Sequence, residues 1–162
     1  MIYIGSENPK FILYIQNKNV FLDVTQLNRT LSTNEFKESL DDSSNDWRKV
    51  CSLFSKIING VLNKEDRWQT YLNLRLLSKD GCEQIVFGEN LLIQSSEETI
   101  HIIAGKQHFE QFLFSEINWV SIGENNKLFQ SGNIFYTPYF DYRQFPNVLV
   151  DELVHRIKTK VI

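Results

Sequence analysis

Apolar positions along the chain fall into short strand-like runs that alternate with stretches of helical spacing. Ile2 to Ile4 runs into a turn at Gly5–Ser6–Glu7–Asn8–Pro9, and two further β-rich runs follow, Phe11 to Ile15 and Val20 to Val24. The turn-like Gln16–Asn17–Lys18–Asn19 between those two runs suggests a hairpin, with a second run that leads directly into loop as the alternative. Ser32 followed by Glu35 has the spacing of a capping box and predicts a short helix ending near Leu40, after which Asp41 to Asp46 reads as a polar loop. From Trp47 the period becomes helical. Trp47, Val50, Cys51, Phe54, Ile57, Ile58 and Val61 recur at three- and four-residue steps behind an N-cap at Ser44 or Asp46, and Gly60 weakens the last turn.

A second helix is predicted from Asp66 to Leu77, with Trp68, Tyr71, Leu72 and Leu76 on one face. Ile85 to Phe87 and Leu91 to Ile93 are apolar pieces too short to assign by period. The second half is clearer: a strand over Thr99 to Ala104, a turn at Gly105, a helix over Gln107 to Phe114, a strand over Trp119 to Ile122, a loop from Gly123 to Gly132 and a strand over Asn133 to Tyr136. Pro146 opens the last helix, whose buried stripe is Val150, Leu153, Val154 and Ile157, with Asp151 and Glu152 toward its positive end. Strands alternating with helices imply an α/β fold in three layers, α/β/α, around a central, mostly parallel sheet. No repeat is visible, and residues 1–162 read as a single domain.

Composition narrows the picture. With 42% hydrophobic and 23% charged residues the chain is ordinary for a packed globular protein. Twelve Phe, six Tyr and three Trp are chiefly core material, with a minority available to stack on a flat ligand. The net charge of −3 gives no global basic footprint, which argues against strong non-specific DNA binding. Cys51 and Cys82 are far apart and form no CxxC, as suits a reducing cytoplasm. No leader is recognisable after Met1 and no apolar run is long enough to span a bilayer, so a cytoplasmic protein without membrane association is expected.

Generic catalytic motifs are missing. His101, His108 and His155 have no partners at metal-ligand spacing, no GxSxG elbow is present, and Gly105–Lys106 lacks the other glycine and the Ser/Thr of a P-loop. No cofactor is implied. Two strand-end loops carry more information, because ligands of open α/β sheets collect beyond the carboxyl ends of the strands. Gly5, Asn8 and Pro9 follow the first strand, and Thr137, Pro138, Tyr139, Phe140, Tyr142 and Arg143 follow the last. Both are expected to border one crevice. The second is rich in rings plus an arginine, which suits a flat ligand. Its plain alternative is a packed strand–helix connection.

These residues also carry a resemblance. DWRKV, IAGK and TPYFDYRQ are similar to an uncharacterised bacterial family that has no assigned activity. More distantly, IYIGSENP, NDWRKV, IHIIAGKQHFEQF and NIFYTP followed by FPNVLVDELVHRIK resemble, in that order, motifs of the mismatch-specific uracil-DNA glycosylases. That resemblance implies a uracil-DNA glycosylase-like fold and an enzyme that hydrolyses the N-glycosidic bond of a base flipped out of DNA. It makes Asn8 the residue that positions water, and gives the Thr137–Arg143 loop the contact to the base and the wedge in the duplex. The chain departs from the family pattern at Glu7, an extra residue before Asn8. It departs again at Thr137, where other branches have histidine, and at Tyr139, Phe140 and Tyr142, which replace small residues. Three readings therefore stand together. One is a divergent DNA glycosylase. The second is a non-catalytic module binding a nucleotide, nucleic acid or protein. The third is an interaction or homo-oligomer domain anchored by exposed rings.

Overall fold

The computed structural model describes residues 2–16, 30, 32, 38, 45–88, 98–105, 118–124 and 126–161. Ten elements span them: β1 (Ile2–Gly5), β2 (Phe11–Ile15), α1 (Asn45–Leu62), α2 (Trp68–Leu74), β3 (Glu83–Phe87), β4 (Ile100–Ala104), β5 (Val120–Ile122), β6 (Leu128–Ser131), β7 (Ile134–Thr137) and α3 (Asn147–Val161). The seven strands form one sheet in the order β1-β3-β2-β4-β7-β6-β5. Its centre, β3-β2-β4-β7, is parallel, whereas β1 pairs antiparallel with β3, and β6 and β5 continue antiparallel beyond β7. The sheet is thus mixed, not mostly parallel, because the chain adds an antiparallel edge strand on one side and a hairpin arm on the other.

Burial explains which strands took the centre. All five residues of β3 and all five of β4 are buried, the continuous pattern of strands covered on both faces. On one face Phe11, Leu13, Ile15, Ile85, Phe87, Ile102 and Phe135 pack with Trp47, Val50, Phe54, Ile57 and Ile58 of α1 and with Leu153 and Ile157 of α3. The helical periods read from the sequence land on this face. Gly60 has a packing reason: a Cβ there would lie 3.0 Å from Val154 Cγ1, so glycine lets α1 and α3 cross closely. On the opposite face Tyr14, Val86 and Ile103 form a second cluster with Ile12, Trp119 and Ile134 against it. Among the described residues no helix packs there, and the expected helices over Ser32–Leu40 and Gln107–Phe114 lie outside them.

Three further expectations change. Both edges of β2 are taken by β3 and β4, which leaves no place for a hairpin partner beside it; Val20 to Val24 lies outside the described residues. The loop expected from Gly123 to Gly132 contains β6, which returns through Gly132–Asn133 to pair with β7. The second helix stops at Leu74 rather than Leu77, because Leu77 adopts φ 59° and its N–H turns to a side chain of β3. No helix among the described residues is long and apolar enough to cross a membrane.

Candidate ligand-binding site

Strand direction decides how the sequence-predicted site residues are placed. Because β1 runs against the parallel strands, its carboxyl end meets their amino ends: Gly5 pairs with Gln84, next to the start of β3. The loop it begins is fastened there, with Ser6 N–H donating to Glu83 O at 2.9 Å and Lys10 N–H to Cys82 O at 2.7 Å. Asn8 is exposed on this loop, its backbone N–H bonded to Ser6 Oγ at 3.1 Å, and Pro9 is half-buried. Thr137 lies at the other end, paired with Ala104 at the carboxyl end of β4. Four strand spacings separate β1 from β7, roughly 19 Å, in addition to the opposite ends. The shared crevice expected between Asn8 and the Thr137–Arg143 loop does not form.

The parallel strands, numbered among themselves, run 2-1-3-4, and their order reverses between β2 and β4. In doubly wound sheets the ligand crevice opens at that reversal, beyond the carboxyl ends. Gly105 follows β4 there, in a left-handed conformation at φ 94°, with its N–H bonded to Thr137 O at 3.0 Å. A Cβ on Gly105 would lie 3.6 Å from Tyr139 Cδ2, so the Tyr139 ring borders the end of β4.

The loop after β7 is rigidly built. Thr137 is buried and its hydroxyl donates to Pro138 O at 2.9 Å, which removes it from any ligand contact. Phe140 is fully buried, with its centroid 5.4 Å from Phe145 and 6.4 Å from Phe54 of α1. It is a core anchor, not a wedge or a ligand contact. Asp141 ties the next turn: Oδ1 accepts the Arg143 N–H at 2.9 Å and Oδ2 pairs with Lys49 Nζ of α1 at 3.2 Å. The Arg143 N–H and then Lys49 hold this carboxyl below the usual carboxylate range. Tyr142 turns away to flank Lys56 Nζ, 5.1 Å from its ring centroid, with Trp68 at 4.9 Å.

What remains around Tyr139 is a hollow of about 690 Å³. Tyr136, Pro138 and Tyr139 contribute from the end of β7, Arg143 from the turn, Val148 from the first turn of α3, and Lys127 from the segment before β6. Neither the Arg143 guanidinium nor the Lys127 ammonium makes a hydrogen bond or ion pair among the described residues. No acidic side chain lines the hollow. Tyr139 Oη is buried without a hydrogen-bond partner among the described residues, and burial, then Asp46 and Asp141, raise its pKa. A second hollow, about 540 Å³, lies between the three helices, but its two cations, Lys56 and Arg67, share the lining with Asp66 and Asp151, and Lys56 is already held by two rings and by Asn147 Oδ1 at 3.3 Å.

Two buried polar pairs escaped the sequence reading. Glu83, fully buried at the start of β3, accepts Tyr71 Oη–H at 2.7 Å, Leu77 N–H at 2.6 Å and Cys82 N–H at 2.9 Å. Desolvation nonetheless raises its pKa. His101 on β4 is buried on the opposite face, with Nδ1 2.8 Å from Tyr14 Oη and Nε2 without a partner among the described residues; desolvation lowers its pKa to about 4. The only sequence signal for either was a polar residue inside an apolar run. Both belong to the scaffold. Among the described residues no cluster of three His, Cys, Asp or Glu side chains could hold a metal.

Comparison with known proteins gives a family but no activity. A family model described as a family of unknown function (DUF6942) matches residues 2–158. No curated protein matches the chain, and no solved structure does.

Proposed function

As the chain belongs to that family of unknown function, we propose a role from the site alone: a non-catalytic binding module that holds the flat ring of a nucleotide-class ligand in the Tyr136–Tyr139 hollow. The observation that carries this reading is a ring-lined hollow at the carboxyl end of β7, on the carboxyl-end side of the parallel strands and one strand away from the order reversal between β2 and β4. Its volume suits a small molecule. Tyrosine and proline faces accept a base by stacking regardless of its identity. The net charge of −3 favours one nucleotide over a long DNA backbone.

The resemblance to uracil-DNA glycosylases stays with this proposal as an architecture, supported by the parallel four-strand core with helices on one face. Gly5, Asn8 and Pro9 are outside the proposed site, and so are the buried Thr137 and Phe140 and the outward-turned Tyr142. Pro138, Tyr139 and Arg143 remain.

Calorimetric titration with nucleobases, nucleosides, mononucleotides and short single strands tests the proposal. Saturable binding of the ring-bearing compounds, lost in Tyr139→Ala, is the expected result. Base release from uracil-containing oligonucleotides would overturn the non-catalytic part.

A further inference from the structure

We infer that the ligand of the Tyr139 hollow is a nucleoside monophosphate, its dianionic phosphate set on Arg143 and Lys127. The inference rests on the ring-binding reading above and adds the charge of the ligand to it.

The argument is one of unspent charge. In a chain of net charge −3, this hollow is lined by two cations and no acid. Three surface cations elsewhere are engaged, Lys49 with Asp141, Arg75 with Glu65 at 2.7 Å and Arg156 Nε donating to Gln130 Oε1 at 2.6 Å. Lys10, Lys64, Arg67, Lys79 and Lys158 make no such contact among the described residues; what sets Arg143 and Lys127 apart is that they line one hollow without an acid. Arg143 and Lys127 have no such partner among the described residues. Asp141, the nearest acid in sequence, spends its carboxylate on the Arg143 backbone and on Lys49, so it fixes the turn without neutralising the guanidinium by a contact. A phosphate monoester carries close to two negative charges at neutral pH and offers three acceptor oxygens, which matches a guanidinium fork plus a point ammonium. The first turn of α3, which has no acidic side chain, borders the same hollow, so its positive end adds to the cations. A diphosphate or triphosphate would bring more charge than two cations meet, and no glycine-rich loop is present to take it.

The test compares uridine and adenosine monophosphates, the two nucleosides and inorganic phosphate by isothermal titration calorimetry. It uses the whole chain and its Arg143→Gln and Lys127→Gln variants, near pH 7.5 and near pH 5.5. The charged side chains lining the hollow are Lys127 and Arg143, and Asp46 of α1 and Asp141 of the turn act on Tyr139 from beside it. The phosphate, whose second pKa is about 6, changes its charge between these pH values, and the nucleoside titrated at both serves as the reference for any change in the protein.

The expected result is a monophosphate that binds about tenfold tighter than its nucleoside, with the gap narrowing at the lower pH. Each glutamine variant should shrink the gap several-fold, weakening the monophosphate more than the nucleoside. Both side chains are exposed, so circular dichroism should show intact variants. A nucleoside that binds as tightly as its monophosphate overturns this inference and leaves the ring-binding reading standing. Inorganic phosphate that binds as tightly as the nucleotide also overturns it. If neither nucleoside nor monophosphate binds, both proposals fall together.

Discussion

Tyr71 Oη donates to Glu83 Oε2 at 2.7 Å inside the core, and that bond joins helix α2 to the first residue of strand β3. The same carboxyl takes the N–H of Leu77, which sits at φ 59°, and the N–H of Cys82. One side chain therefore holds the whole return from α2 to the sheet. Glu83→Ala should leave three buried donors unmet and cost about 3 kcal/mol or more, read as a fall in the urea midpoint. Glu83→Gln, which keeps the volume, should cost about 1–2 kcal/mol.

The pH dependence of that residue has a definite sign. Burial raises the folded pKa of Glu83 above its unfolded value, so the folded state binds the proton more tightly. Its contribution is full below the ordinary glutamate range and declines as pH rises through the folded pKa. His101 works the other way. Its folded pKa of about 4 lies below the ordinary histidine value, so its contribution is present above about pH 6.5 and is lost as pH falls toward 4. The fully lost term is about 3 kcal/mol at most. Urea titrations at several pH values should show His101→Gln with a flatter acid limb than the parent, and Glu83→Gln with a flatter decline on the rising side. A parent-like acid limb in His101→Gln would contradict the assignment.

The sequence carried much of this fold, for reasons that can be located. The stripe of Trp47, Val50, Phe54, Ile57 and Ile58 lies on the sheet-facing side of α1 because only a 3.6-residue period puts those positions together. Strands β2 and β4 were legible as continuous apolar runs. The direction of β1 was not. Its pattern is the same whether it runs with its neighbours or against them, and that ambiguity misplaced Gly5, Asn8 and Pro9. Strand β6 was passed over because Leu128–Ser131 is short and half polar, although Gly132–Asn133 after it is a hairpin dipeptide. Phe140 could not be told from Tyr139 by sequence: two adjacent rings in one loop point to opposite fates, one into the core and one to the hollow. Lys127 was invisible as a site residue, since the β6–β7 hairpin alone brings it near Arg143.

Asn8 provides the sharpest contrast between sequence motif and structure. It is exposed, and its side chain makes no hydrogen bond among the described residues, so Asn8→Ala should change stability by no more than about 0.5 kcal/mol. Nucleotide affinity should be untouched, because the hollow lies at the other end of the sheet. Gly5→Ala is different. A Cβ there would stand 2.4 Å from Glu83 O with the backbone at φ 112°, and the expected loss is about 2 kcal/mol or more. Melting curves and titrations of the two variants separate the scaffold role of this loop from any role in binding; weaker nucleotide binding in Asn8→Ala would contradict the placement of the site.

Asp141 is expected to act as a positioning residue for that site. It touches no ligand in this reading, yet Oδ1 fixes the Arg143 backbone and Oδ2 anchors the turn to Lys49 of α1. Phe140 beneath it already holds the loop in the core, so losing Asp141 should loosen the turn without unfolding it. Asp141→Ala should therefore weaken monophosphate binding several-fold with little change in melting temperature. Nucleoside binding, which relies on Tyr139, should change less. Asp141→Asn keeps an acceptor for the Arg143 N–H and surrenders only the half-buried ion pair to Lys49, a contact worth about 1 kcal/mol. It should recover most of the affinity. If Asp141→Asn and Asp141→Ala weaken binding equally, then the ion pair to Lys49, and not the turn geometry, sets the aim of Arg143, and Lys49→Gln should reproduce the loss.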